Sequence, residues 1–68
     1  MEESLTDLTV DTPGAAQHLK LSVSHLEKMR VYGTGPAYVK LGRAVRYRIS
    51  DLEAYLSARV VVPTGGAN

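Results

Sequence analysis

In Val45-Arg46-Tyr47-Arg48-Ile49 apolar and basic side chains alternate without a break. Successive residues of a strand point to opposite faces, so this run has one face for a core and one that stays wet. It reads as the second strand of a hairpin, with Tyr38-Val39-Lys40-Leu41 as the first and Gly42-Arg43-Ala44 between them. A two-stranded ribbon is marginal by itself in water. Its apolar face therefore has to lie on helices supplied by the rest of the chain. Arg43 then sits near the ribbon tip, and Arg46 and Arg48 face outward.

The helices are marked by their caps. Thr12-Pro13 reads as a start, a hydroxyl to accept an orphan amide followed by a proline whose missing N–H costs nothing there. Ala15, Ala16 and Leu19 form the inner stripe of a first helix over about residues 13–20. Leu8 and Val10 precede it as a short extended piece. Leu21-Ser22 reads as a tight turn into a second helix capped by Ser22. At 100° per residue Val23, Leu26 and Met29 share the inner side of that helix. Ser24, Glu27, Lys28 and Val31 fall on the outer side, with His25 on the flank. Gly33-Thr34-Gly35-Pro36 ends it, because the glycines allow left-handed turns and Pro36 cannot continue a helix. Ser50-Asp51-Leu52-Glu53 has the spacing of a capping box. It predicts a third helix over about residues 51–59 with Leu52, Tyr55 and Leu56 inward. Leu26, Met29, Tyr47, Leu52 and Leu56 are the expected core. Val60-Val61-Val62 is apolar and β-prone, and either packs on the domain or pairs with a neighbouring molecule.

The net charge of +1 hides three unequal parts. Residues 1–27 carry Glu2, Glu3, Asp7, Asp11 and Glu27 against Lys20. Residues 28–48 carry Lys28, Arg30, Lys40, Arg43, Arg46 and Arg48 with no acid, and residues 49–68 carry Asp51 and Glu53 against Arg59. A polyanion responds to a local field, so a middle third of unopposed cations points to nucleic acid despite the near-neutral total. Ser24 and Lys28, one turn apart on an exposed face, suit the major groove, where hydroxyl and ammonium reach base edges or phosphates. The helix alone fits a solvated surface equally well.

Other classes fare worse. A chain of 68 residues buries about 60% of its surface, enough for one thin core and too little for a doubly wound or barrel enzyme. There is no cysteine, hence no disulfide, thiolate ligand or thiol nucleophile. His18 and His25 fall on different helices with no carboxylate cluster at metal-ligand spacing, so neither metal nor cofactor is expected. No Lys-Ser/Thr pair follows Gly33-Thr34-Gly35-Pro36, which excludes a phosphate-binding loop. Catalysis is not expected. Met1-Glu2-Glu3-Ser4 leads into no apolar run of signal or membrane-spanning length, so a soluble cytoplasmic protein is expected.

Taken in order, Thr12-Pro13 with Ala15-Ala16 and Leu19, Ser22, Leu26-Glu27-Lys28-Met29-Arg30, Gly33-Thr34-Gly35-Pro36, Tyr38-Val39-Lys40-Leu41-Gly42-Arg43, Val45-Arg46-Tyr47-Arg48 and Ser50-Asp51-Leu52-Glu53-Ala54-Tyr55-Leu56 resemble the excisionase-like and AlpA-like helix-turn-helix proteins, small relatives of the MerR winged-helix domains. The resemblance spans Thr12 to Leu56. Lys20 stands where the family usually has glycine, and Met29 where it often has tryptophan. Val23, Ser24 and His25 stand where relatives vary widely.

The resemblance implies an α+β fold, a small winged helix-turn-helix of three short helices with a two-stranded β-hairpin wing. Together with the reading of the residues on either side, a DNA-binding domain is expected over residues 8–62, between an acidic arm (1–7) and a flexible tail (63–68). Ser22–Val31 becomes the recognition helix and the hairpin around Gly42-Arg43 the wing. The DNA-contacting residues are then Ser22, Ser24, His25, Glu27 and Lys28 of the helix and Lys40, Arg43, Arg46 and Arg48 of the wing. Family members bind and bend attachment-site DNA to steer an integrase toward excision, often side by side through head-to-tail contacts. Others are small phage or mobile-element transcription regulators. A protein-interaction adaptor on the same fold is the competing class, and it has no need of an all-basic hairpin face.

Overall fold

A computed structural model describes residues 8–63. In chain order the elements are β1 (Thr9–Val10), α1 (Thr12–Leu19), α2 (Val23–Val31), β2 (Val39–Leu41), β3 (Ala44–Arg48) and α3 (Ile49–Ser57). The three helices and the hairpin are those expected. The short extended piece before α1 proves to be a third strand: β1 pairs antiparallel with β3, Thr9 opposite Arg48 and Val10 opposite Tyr47, giving the order β1-β3-β2. The expected arm at 1–7 and, Pro63 apart, the expected tail lie outside the described residues.

The cap of α1 lies one residue earlier than the hydroxyl of Thr12. The Asp11 carboxylate, in extended backbone, accepts the Gly14 amide at 2.9 Å, and Pro13 falls in the first turn. At its other end Leu21 N–H donates to the Ala16 carbonyl (2.9 Å) and Lys20 N–H to that of Gln17 (3.2 Å). This is the Schellman pattern that satisfies the last carbonyls, and it needs a left-handed residue just past the helix. Lys20 takes that position at φ 60°, ψ 39°. The turn therefore keeps the glycine geometry without the glycine. The same pattern closes α2, with Thr34 N–H to Met29 (2.9 Å) and Gly33 N–H to Arg30 (3.2 Å), and there a glycine holds φ 75°.

Ala15, Ala16, Leu19, Leu26, Tyr47 and Leu52 form the buried core, with Val10, Leu21, Met29, Val45, Ile49 and Tyr55 half-buried around it. Two expected core positions differ: Val23 is 37% exposed and Leu56 40% exposed. Each lies at an end of its helix, Val23 the first residue of α2 and Leu56 the last but one of α3, and a core this small covers only the middle turns.

The capping box is also replaced. Ile49 N–H donates to the Leu8 carbonyl (2.8 Å), and α3 springs directly from β3 with Arg48 at the cap position and no side-chain cap bond. Ser50 is thereby already helical and cannot hold the extended backbone that an N-cap requires. Glu53 instead meets His18 Nε2 at 2.7 Å, tying α3 to α1.

Candidate nucleic-acid interface

The second helix is fixed from its first turn. Ser22 Oγ accepts the His25 amide at 3.0 Å, so Ser22 acts as the expected cap, and the His25 side chain is exposed. Leu26 is fully buried, which turns Ser24, Glu27, Lys28 and Val31 outward, all of them exposed. With Tyr32 these four line a shallow concavity of about 220 Å³. Tyr32 is not among the residues expected at the DNA, although it follows Ser24 by eight residues and so continues the same row along the helix.

The turn of the wing is two residues long, since Leu41 pairs with Ala44. Gly42 has φ 63° while Arg43 keeps a negative φ, the pattern of a II′ turn, in which the first central residue must tolerate positive φ. Arg43 is exposed at this tip. Strand partners directly opposite share a face, so Lys40, opposite Val45, lies on the side of Val45 and Tyr47, whereas Arg46, opposite Val39, lies on the other side with Arg48. The basic groups are thus distributed around the ribbon.

Their partners separate them further. Lys28, Lys40 and Arg43 are exposed and ion-pair with no described residue. Arg46 is half-buried and folds along its own strand, Nη1 donating to the Val45 carbonyl at 2.9 Å. Arg48 makes a two-pronged contact with Asp51, Nε to Oδ2 at 2.7 Å and Nη2 to Oδ1 at 3.1 Å. Arg30 turns inward. Its Nη1 donates to the Tyr47 hydroxyl (3.0 Å) and to Thr12 Oγ1 (3.4 Å), and its guanidinium lies 5.9 Å from the Tyr38 ring centroid. The Tyr38 and Tyr47 rings are themselves 6.0 Å apart. Arg30 therefore links α2 to the first helix, to β3 and to Tyr38 just ahead of β2.

No helix among the described residues is long and apolar enough to cross a membrane. No group of three His, Asp or Glu among them is placed to hold a metal ion.

Two short helices joined by a tight turn with a left-handed residue, followed by a basic hairpin whose second strand also pairs with the strand ahead of the helices, define a helix-turn-helix of the winged kind. This is a DNA-binding class, whose second helix enters the major groove. A family model described as a helix-turn-helix domain matches residues 9–60. That stretch contains every strand and helix given above, and the chain belongs to this family. No curated protein matches it.

Proposed function

We propose that this chain is a sequence-specific double-stranded DNA-binding protein of the excisionase type, a recombination directionality factor acting in the cytoplasm. Residues 8–62 are the binding unit. The observation that carries the DNA reading is the set of exposed, carboxylate-free cations on helix and wing: Lys28 on α2, Lys40 on β2 and Arg43 at the tip. The outer face of α2 lies in the major groove, where Ser24, Glu27 and Lys28 reach base edges and Ser22 and His25 face the backbone. Lys40, Arg46 and Arg48 hold flanking phosphates, with Arg48 shared between Asp51 and DNA. Arg43 enters the adjacent minor groove, and engaging both grooves favours a bent duplex.

The excisionase role rests on the resemblance of Thr12–Leu56 to those proteins. In that role the protein makes and breaks no bond itself. It shapes attachment-site DNA for an integrase, and neighbouring copies bind repeated sites head to tail. The test has two stages. Footprinting on the DNA flanking the gene should reveal a protected, repeated site. Recombination with the cognate integrase should then be driven toward excision when the protein is added. Protection of a promoter with repression, and no effect on recombination, would replace this role by that of a small transcription regulator. No binding to any duplex at low salt would remove the DNA reading and favour the adaptor.

A further inference from the structure

The outer stripe of α2 carries, in order, a hydroxyl (Ser24), a carboxylate (Glu27), an ammonium (Lys28) and an isopropyl group (Val31), with Tyr32 closing the end of the concavity they line. Three of these five are poor choices for a surface whose only task is to hold phosphates. Glu27 carries the sign of the backbone and ion-pairs with no described residue. Val31 is 79% exposed and Tyr32 75% exposed, leaving apolar area in water at the end of the helix. A carboxylate is tolerated against DNA where it meets a donor, and in the major groove the cytosine N4 amino group is such a donor. An exposed aliphatic group at the same depth has a partner in the thymine 5-methyl group.

From this we infer that α2 reads base identity with Glu27 on a cytosine, Lys28 on a neighbouring guanine and Val31, backed by Tyr32, on a thymine methyl. The inference rests on the DNA-binding reading and adds the base classes at that site. Ser24 to Val31 spans about 10 Å at 1.5 Å per residue, or about three base pairs at 3.4 Å each. Glu27 and Val31 are one turn apart, which places the cytosine and the thymine about two base pairs from each other. The acid works by exclusion as well as attraction: wherever no donor faces it, it repels the duplex, so it lowers affinity for wrong sites more than it raises affinity for the right one.

The test is selection from a randomised 20-base-pair duplex library (about two helical turns) by the whole chain and by its Glu27→Gln and Val31→Ala variants. Both positions are exposed, and far-UV circular dichroism verifies that each variant is folded. The wild type should enrich a block of about three base pairs with cytosine and thymine about two positions apart. Glu27→Gln should move the cytosine preference toward adenine, which glutamine contacts in two places, by about tenfold. Val31→Ala should flatten only the thymine preference. Replacing that thymine by deoxyuridine in the selected duplex should weaken the wild type about fourfold, the worth of one buried methyl group, and weaken Val31→Ala, which keeps only its Cβ methyl there, by clearly less.

A common factor on all sequences for Glu27→Gln, with preferences intact, would overturn the inference, as would an unchanged thymine preference for Val31→Ala. The latter would assign the Val31–Tyr32 patch to a protein contact. Retention of duplex at low salt without any enriched block also overturns it, and leaves DNA binding standing as non-specific. Failure to retain any duplex is the different result that removes the DNA reading itself.

Discussion

Lys20 sits in a backbone region that costs an L-residue roughly 1–2 kcal/mol, at the position where Gly33 closes the next helix without that cost. Glycine at position 20 would relieve the strain and give back part of it through its freer unfolded chain, about 0.4–1 kcal/mol. Lys20→Gly should therefore stabilise the domain by about 0.5–1 kcal/mol, a rise in Tm of about 3–6 °C for a chain of this size. Calorimetry reads this directly, and an unchanged or lower Tm would mean that the lysine relaxes into the turn. On the wing, Arg43 is exposed without a described carboxylate partner whereas Arg48 shares its charge with Asp51. Arg43→Ala should flatten the dependence of log affinity on log salt by about 0.9, one counterion's worth. Arg48→Ala should flatten it by less, because Asp51 already offsets that charge in the free protein. Titrations at several salt concentrations on one duplex separate the two.

At the scale of elements, stability is concentrated in a few contacts. Leu26 is the fully buried anchor of α2 and Leu52 that of α3. Truncating either to alanine costs about 2–5 kcal/mol, against a total stability of roughly 3–10 kcal/mol for a domain this small. Leu26→Ala should leave a large unfolded fraction in circular dichroism at 25 °C, whereas Leu56→Ala, at a 40% exposed site, should unfold near the wild-type Tm. His18 and Glu53 join α1 to α3 across a partly exposed 2.7 Å contact. A double-mutant cycle should give a coupling of only about 0.2–1 kcal/mol, because water and salt screen the pair. These elements differ in how far the sequence reveals them. The alternation of Val45 to Ile49 has a period that needs no knowledge of the rest of the fold, and Ser22 precedes its helix directly, so both are readable locally. Thr9–Val10 is too short to show any period and becomes a strand only because β3 lies beside it. Ser50 and Glu53 have capping-box spacing, yet where α3 begins is decided by the Ile49–Leu8 hydrogen bond, a contact between residues far apart in sequence.

At the scale of the molecule, the basic segment was legible as a quantity of charge but not as a distribution. Counting six cations between residues 28 and 48 says nothing of Arg30 turning inward or Arg48 finding Asp51, since both depend on partners supplied by folding. Arg30 has the wider effect. By joining α2 to Tyr47 of β3, to Thr12 and to the Tyr38 ring, it removes the hinge that the seven-residue connection between helix and hairpin (residues 32–38) would otherwise provide. A protein so braced measures DNA as a caliper with a locked jaw. Inserting one base pair between the segments touched by the helix and by the hairpin tip would displace one from the other by about 3.4 Å and turn it by roughly 35°. The braced protein should lose one of its two grips on such a duplex, while Arg30→Met, with the jaw unlocked, should discriminate far less between the original and the lengthened site.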